Sequence, residues 1–545
     1  MEQFDRVHSG NAVGLGNVWR FPYMCGRNGG AAFMIPYFTM MICVGLPLYY
    51  VEMAIGQFAG LTPAVLYKRM CPLFGGMGYV MLVTSVLGGI TYNMVIAWAI
   101  RYFVASLSFN GIPWEGCDND WNTERCFDHA IYAKCKNESQ WYLKGKCWSS
   151  DNATIGEFEQ EVIVNQMKNE SFRNSPAKEY NSYLLDISDG IEQIGYPKWD
   201  LVLSLLAAWA IVFICLIRGI KSSGKIVYFT VIFPYVTLLV LLVRGVTLEV
   251  WEEVVARRWP SYNKFNNNIL RDTLIVVLGN CFTSVLAGFA IFSVIGFLAD
   301  STGVEVSSLS EMGPTLAFVA YPSALAKINP SWLWSIMFFL TLILLGIDSQ
   351  IVIVEVIVTF VVDTHTQFRT PLRKMGVVAV VCIFSFACSL LFTCPGGPYV
   401  MELFNLTGVI SVLTGLMTLI IVCWIYGIRR FIQDIEMMMG SPTNRFWRLL
   451  GYPSNWFWWI NWVLIGPVLI TTIMIMDAID NSKLTYGSYV YPWWSELIMW
   501  CICLLILLTI PSFAIYKLIR GVLQFGLNKK NNSRLRGNDN STATE

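Results

Sequence analysis

The chain has 545 residues, of which 55% are hydrophobic and 14% charged, and its formal net charge is +1. Soluble proteins carry about 25% charged residues, so the composition excludes a set of soluble domains and indicates a polytopic membrane protein. The near-neutral charge gives no reason to expect nucleic acid as a partner. Three histidines without a CxxC repeat do not indicate a metal cluster. Residues 1–6 lack the basic region of a signal peptide.

Eleven apolar stretches are long enough to cross a bilayer. They lie near 10–29, 33–58, 78–106, 200–217, 226–243, 274–299, 332–362, 376–393, 400–427, 457–476 and 495–517.

The first stretch differs from a helix made only to cross lipid. It contains Gly10, Gly14 and Gly16, and each glycine costs about 1 kcal/mol relative to alanine in a helix. Asn17 and Arg20 add polar groups at membrane depth. We expect a broken helix whose free carbonyls bind a cation and whose half-helix N-terminus binds a carboxylate. The alternative is a face of small residues that packs against another helix.

One large polar insert, residues 110–198, separates the third and fourth stretches. Its three glycosylation sequons, at Asn137, Asn152 and Asn169, predict an extracellular loop. Four of the fifteen cysteines lie in the same loop, which indicates an oxidising compartment: Cys117, Cys126, Cys135 and Cys147.

The basic loops predict the cytoplasmic side of the membrane. They are the loop with Lys68 and Arg69, residues 218–225, 365–374 and 429–448, and the tail from Lys517. This sidedness needs one more crossing after the fifth stretch. Only 245–260 is left for it, and these sixteen residues hold three glutamates and two arginines. The segment does not span, so either a twelfth helix is missing or a later stretch enters against its loop charges.

Several motifs, taken in this order, resemble the sodium- and chloride-dependent neurotransmitter and amino-acid symporters (solute carrier family 6). They are 11–23, 28–37, 92–98, 113–117, 121–126, 261–268, 280–284, 313–322, 346–350, 424–427 and 430–435. The resemblance implies an all-α polytopic bundle with the inverted-repeat (LeuT-like) fold and a broken first helix. About 11 of its expected 12 spans are recognisable, and the sixth has no counterpart. Residues 1–527 would form the transporter domain, with 245–260 as the remnant of the sixth helix and 528–545 as a disordered cytoplasmic tail.

The resemblance implies two sodium sites. One would use the carbonyls of Gly10, Val13 and Leu345 and the side chains of Asp348 and Ser349. The other would use the Ala12 carbonyl and the Asn17 and Asn280 side chains. Asp348 is also an acid inside a long apolar stretch, which by itself marks the partner of a buried cation. The alternative for Asp348 is an ion pair with a lysine or arginine of a neighbouring helix.

A chloride site is implied at Tyr37, Asn280 and Ser284. Chloride-independent relatives have a glutamate at the position of Ser284, so the neutral serine favours chloride dependence. The alternative is a serine that bonds only to its own helix backbone.

For the substrate, the resemblance implies that N–H groups around Leu15 and Gly16 and the Tyr92 hydroxyl bind a carboxylate, with Gly14 and Ser349 beside them. Amine-carrying relatives have an aspartate at the position of Gly14. Its absence favours a ligand with its own carboxylate, either a neutral amino acid or a GABA-like zwitterion. The alternative for Tyr92 is an ordinary packing aromatic.

The resemblance also implies two gates. Outside, Arg20 would face Asn405, where relatives have an aspartate, which predicts a weaker latch. Inside, Tyr262 and Asp363 match the gate, and its arginine would lie upstream of Met1.

Two cysteines of the extracellular loop, Cys117 and Cys126, close a short loop, so we expect a disulfide between them. A second pair, Cys135 with Cys147, stays open.

These features together predict a plasma-membrane symporter with a cytoplasmic C-terminus. It would move a neutral amino acid or a GABA- or glycine-like transmitter with Na+ and Cl− by alternating access. The expected partners are this small zwitterion and membrane lipids, and a homo-oligomer is left open. The alternative is a non-transporting splice form, partial gene model or regulatory member, because loss of the sixth helix removes ligands from several sites at once. A channel would need a pore-lining repeat, and an enzyme a nucleophile–base pair; the sequence has neither pattern.

Overall fold

The computed structural model describes most of the chain. The described residues are 14–108, 111–138, 140–143, 145–148, 173–217, 233–237, 268–302, 317–405, 407–440, 456–479, 484–486 and 489–521. The predicted sixth-helix remnant, 245–260, and the tail, 528–545, lie outside them.

The described part is built almost entirely from helices. In chain order these are α1 (Gly16–Arg20 followed by Phe21–Arg27), α2 (Gly30–Ala59), α3 (Pro63–Met70), α4 (Pro72–Ser106), α5 (His129–Asn137), α6 (Pro176–Leu185), α7 (Trp199–Ile217), α8 (Ile269–Ala299), α9 (Ala320–Ala326), α10 (Ser331–Thr364), α11 (Pro371–Thr393), α12 (Gly397–Met439), α13 (Trp456–Ile479) and α14 (Trp493–Gly521). The described residues also form two antiparallel β-hairpins: β1 (Trp141–Leu143) with β2 (Lys146–Trp148), and β3 (Thr485–Tyr486) with β4 (Tyr489–Val490).

Nine helices in the described ranges are long and apolar enough to cross a membrane: α2, α4, α7, α8 and α10–α14. They coincide with nine of the eleven predicted stretches, and the all-α polytopic fold is confirmed. Of the other two stretches, 10–29 is described from residue 14 and 226–243 only at residues 233–237, which are helical. Many large apolar side chains of these spans are exposed, such as Leu372 (74%) and Leu505 (68%), as expected for surfaces that face lipid tails.

Local signals set several helix ends. Gly60 ends α2 in the left-handed region, with φ +58°, and Pro63 occupies the first turn of α3. The Ser175 hydroxyl caps α6 by accepting the Lys178 N–H at 3.2 Å.

The main core lies where α4, α7, α10 and α11 pack together. One end of this core is aromatic: Tyr102 of α4 stacks on Phe339 of α10 with centroids 4.8 Å apart, and the ring centroid of Trp114, in the polar insert, lies 5.2 Å from that of Tyr102. A second core joins α2 to α13 through Tyr50, Trp458 and Trp462. Leu15 and Val18 of the first helix belong to the main core, and α1 also packs against α8, which places the candidate site.

Candidate functional site

The wound part of the first helix begins next to its glycines. Gly14 lies just outside α1 and Leu15 is the first helical residue, followed by one π-helical turn, Gly16–Arg20. The Asn17 N–H donates to the Gly14 carbonyl at 3.1 Å. Leu15 and Val18 are buried while Arg20 is exposed. A helix that starts here points its free N–H groups and positive dipole end toward the preceding residues.

Four predicted substrate residues meet at this helix start. The Leu15 N–H donates to the Tyr92 hydroxyl at 3.4 Å, and the Tyr92 and Ser349 hydroxyls hydrogen-bond each other. The Ser349 hydroxyl also donates to the Leu345 carbonyl at 3.4 Å. A Cβ atom on Gly14 would lie 3.3 Å from Ser349 Oγ and 3.8 Å from the Tyr92 hydroxyl oxygen. Tyr92 therefore links α4 to α1 and α10 through hydrogen bonds of its hydroxyl group. An aromatic residue that only packed its ring would not make these bonds.

The acid Asp348 lies on the same turn of α10 as Leu345 and Ser349. Asp348 is 5% exposed, and its negative charge acts on the Tyr92 hydroxyl. Spacings of three and four residues put Leu345, Asp348 and Ser349 on neighbouring positions of one helix face. The other predicted ligands of this sodium site, Gly10 and Val13, lie outside the described residues.

The two side chains predicted for the second sodium site are in contact. Asn17 Nδ2 donates to the Asn280 side-chain oxygen at 2.6 Å and to the Asn280 carbonyl at 3.1 Å. These bonds tie α1 to α8 through the Asn17 amide nitrogen, and no hydrogen bond to another described residue is made by its oxygen, Oδ1. Ala12, the third predicted ligand, lies outside the described residues.

The predicted chloride residues converge one turn further along α8. The Tyr37 hydroxyl of α2 hydrogen-bonds the side chains of Ser284 and Cys281, and Ser284 is buried (4% exposed). Asn280 lies four residues before Ser284, on the same helix face. Phe21 of α1 packs edge-on against the Tyr37 ring, with centroids 4.9 Å apart. Sequence reasoning missed Cys281, because a cysteine in an apolar span is usually a small hydrophobe.

The predicted gate residues are only partly brought together. Arg20 and Asn405 are both exposed, and Asn405 Nδ2 donates to Glu402 Oε2 at 2.8 Å. The charge of Arg20 acts on Glu402. Of the inner gate, Asp363 is partly exposed near the end of α10, and Tyr262 lies outside the described residues.

The polar insert between α4 and α7 contains the predicted disulfide Cys117–Cys126 and also the second pair, Cys135–Cys147. Asn137 is exposed at the end of α5, whereas Asn152 and Asn169 lie outside the described residues. The Asp128 N–H donates to the Tyr142 hydroxyl at 2.7 Å, and burial raises the pKa of Tyr142 to about 12, so this phenol is neutral. The loop is attached to α9 by an ion pair between Asp128 and Lys327 at 3.5 Å.

Comparison with known proteins gives the same family as the motifs. The model of the sodium:neurotransmitter symporter family matches residues 3–257 and 253–521. The two matched segments meet inside the charged segment 245–260.

Two kinds of curated relative are similar along almost the whole chain. The sodium- and chloride-dependent GABA transporter 2 of Macaca fascicularis is 36% identical over 94% of this chain and 83% of its own length, and the human protein of that name is 35% identical over 94% and 84%. The sodium- and chloride-dependent glycine transporter 2 of Xenopus laevis is 38% identical over 93% of this chain and 67% of its own. Members of this family are transporters and not enzymes. With its all-α polytopic fold, its motifs and this match, the chain belongs to the sodium:neurotransmitter symporter family.

Proposed function

We propose that the chain couples the entry of sodium and chloride to the uptake of a small zwitterion of the GABA or glycine type across the plasma membrane. The observation that carries the proposal is the convergence of Gly14, Tyr92 and Ser349 at the start of α1. There a carboxylate would meet a helix N-terminus and a phenol hydroxyl, both of which favour negative charge.

The substrate class follows from what the site lacks. Gly14 has no side chain, and its Cβ position is already bordered by Ser349 and Tyr92, so no acid at this position pairs with an amine. A ligand with its own carboxylate supplies the missing negative charge next to the sodium residues. The similarity to GABA and glycine transporters supports this class.

Sodium is a co-substrate of the proposed reaction. The buried Asp348 carboxylate, the Ser349 hydroxyl and the Leu345 carbonyl offer the oxygen set that a hard monovalent cation prefers. A cation bound between these oxygens would be attracted by the buried carboxylate, so cation binding stabilises the conformation in which the oxygens face α1. Differential binding of sodium to two conformations is what couples its gradient to substrate movement.

Chloride is proposed at the Tyr37–Ser284 contact. The hydroxyl groups of Tyr37 (α2) and Ser284 (α8) meet there. Both can donate a hydrogen bond and neither is negatively charged, so the pair can bind an anion. The Asn17–Asn280 hydrogen bonds lie one turn away on α8. The residues proposed for sodium and those proposed for chloride therefore share one face of α8, and the opposite charges of the two bound ions would balance each other.

The test is uptake of radiolabelled GABA and glycine by cells that express the full chain, with surface expression measured in parallel. We expect uptake that falls to background when sodium is replaced by choline and falls strongly when chloride is replaced by gluconate. Asp348→Asn removes the charge at nearly constant volume and is expected to abolish sodium-dependent uptake. Asp477→Asn, an exposed acid at the end of α13, is the matched control and keeps it.

Two outcomes contradict the proposal. Uptake that is independent of sodium, or preserved in Asp348→Asn, rejects the sodium site. No uptake by a chain that reaches the cell surface favours the non-transporting alternative. In that case, insertion of a family-type sixth helix between Thr247 and Ser261 separates the two explanations, because it restores uptake only if the described site is otherwise competent.

A further inference from the structure

The last turns of α14 are packed tightly against the connection between α3 and α4. A Cβ atom on Gly75 would overlap the Phe513 ring, and one on Gly76 would lie 2.6 Å from the Thr509 carbonyl oxygen. Only a residue without a side chain allows α14 to come this close. The two glycines therefore fix where the end of α14 lies relative to the end of α3.

Two lysines from different helices lie against the same aromatic ring at this junction. The ammonium of Lys68, in α3, lies 5.7 Å from the Phe513 ring centroid, and that of Lys517, in α14, lies 5.8 Å from it. Lys68 also donates to the Tyr79 hydroxyl, and its ammonium lies 4.6 Å from the centroid of the Tyr79 ring. Attraction between an ammonium and the face of an aromatic ring orders both side chains, so two positive charges are held near each other.

Two arginines add to this positive charge. Arg69 follows Lys68 directly, Arg520 lies three residues after Lys517, and both arginines are exposed. Among the described residues, no acidic side chain forms an ion pair with any of these four cations. Arg520 donates to a neutral group, the Tyr516 hydroxyl, at 3.4 Å. Like charges held this close repel each other, so an anion bound between them would be stabilised.

The surface of α14 that leads to these cations is apolar. Its exposed side chains are Leu505 and Leu508 along the span and Ile515 and Ile519 in the last turns. Tyr516 is also exposed and precedes the cations of α14. This order of apolar, aromatic and basic side chains matches the order of acyl chains, interface and phosphate in a phospholipid leaflet. A soluble phosphate would contact the cations alone and leave the apolar surface unused.

We propose that the junction of α3 and α14 binds the headgroup of an anionic phospholipid. Phosphate oxygens of the headgroup accept hydrogen bonds from Lys68 and Lys517, and the acyl chains lie along the exposed apolar face of α14. A zwitterionic lipid carries a cation of its own, which the basic cluster repels, so the site selects lipids with a net negative charge. Such lipids are concentrated in the cytoplasmic leaflet, the side on which the basic segments of α3 and α14 are predicted to lie. The site uses none of the residues proposed for sodium, chloride or substrate.

Native mass spectrometry of the purified full chain in detergent tests this site, with phosphatidylserine, phosphatidylcholine or inorganic phosphate added separately. We expect phosphatidylserine to bind about tenfold more tightly than phosphatidylcholine. Lys68→Gln/Lys517→Gln is expected to weaken phosphatidylserine binding about 10- to 30-fold, because each removed cation lowers the affinity for an anionic headgroup. Lys68→Arg/Lys517→Arg keeps both charges and is expected to bind within about threefold of the original.

Arg369→Gln/Arg373→Gln is the matched control, because it removes two exposed cations from another basic segment, and it is expected to bind like the original. Lys517→Gln alone leaves the Lys68–Tyr79 bond intact and is the milder test if the double variant does not fold; we expect it to weaken phosphatidylserine binding about three- to tenfold. Equal affinity of the original chain and the glutamine variants for phosphatidylserine overturns the proposal, and so does equal binding of the two lipids. Binding of inorganic phosphate as tight as that of phosphatidylserine would assign the cations to a soluble anion and reject the lipid site. Because binding is measured without transport, the result does not depend on the proposed function.

Discussion

Gly14 shows how a residue without a side chain shapes the candidate site. Its Cβ position lies 3.3 Å from Ser349 Oγ, which is tighter than an ordinary contact. Ser349 cannot easily move away, because its hydroxyl is engaged with the Leu345 carbonyl and with Tyr92. A glycine is therefore required at position 14, because α10 and α4 come close to the start of α1 there.

We expect Gly14→Ala to weaken uptake. Overpacking of this kind costs about 1–3 kcal/mol, which corresponds to a roughly 5- to 150-fold increase in the concentration for half-maximal uptake. The measurement is the concentration dependence of GABA or glycine uptake at fixed sodium. Gly296→Ala in α8, whose Cβ would meet nothing within 4 Å, is the control. Equal behaviour of the two variants would mean that Gly14 does not border the site.

At the scale of elements, α8 connects the parts of the candidate site. Asn280 bonds to Asn17 of α1, and Ser284, four residues later, bonds to Tyr37 of α2. The helical repeat explains why both residues lie on one face of α8. Which helices that face meets depends on how α8 packs, since Asn17 and Asn280 are 263 residues apart in the chain.

The polar insert between α4 and α7 contains a covalent link, the disulfide Cys117–Cys126. Cys117 and Cys126 are nine residues apart, and closing such a loop contributes about 2–3 kcal/mol in the chain-entropy description. We expect Cys117→Ser/Cys126→Ser to lower the melting temperature of the purified protein and its surface expression.

Cys388→Ser is the matched control for this variant, because Cys388 is exposed and free. An unchanged melting temperature in the double variant would show that hydrogen bonds such as Thr123 N–H to Glu179, at 2.9 Å, hold the loop without the disulfide.

At the scale of the whole molecule, the prediction concerns which side of the membrane each loop occupies. The sequons at Asn137, Asn152 and Asn169 belong to the proposed extracellular loop, and the chain has two more in its tail, at Asn531 and Asn540. Since glycans are added only on the lumenal side, we expect glycosylation of the loop and none of the tail.

Peptide N-glycosidase F treatment measures this directly. The original chain is expected to shift on a gel, and the triple variant Asn137→Gln/Asn152→Gln/Asn169→Gln is expected to show no shift. Asn531→Gln/Asn540→Gln is the control and should shift like the original. A remaining shift in the triple variant that disappears only with the tail changes would reverse the proposed orientation.

The amino-acid sequence alone determined the nine membrane-length helices of the described residues and the family. Transfer of apolar residues into lipid is a sum over neighbouring residues, so a stretch such as 332–362 can be recognised without knowing its partners. Asp348, Ser349 and Tyr92 were predicted as site residues because the motifs around them resemble motifs of the symporter family.

The tertiary structure alone decided which side chains touch. The Tyr37–Ser284 contact and the Leu15–Tyr92 bond depend on helix packing over long sequence separations, and periodicity within one helix carries no information about its neighbours. At the predicted outer gate, Asn405 Nδ2 bonds Glu402 Oε2 of its own helix, a contact that the motif around Asn405 did not predict.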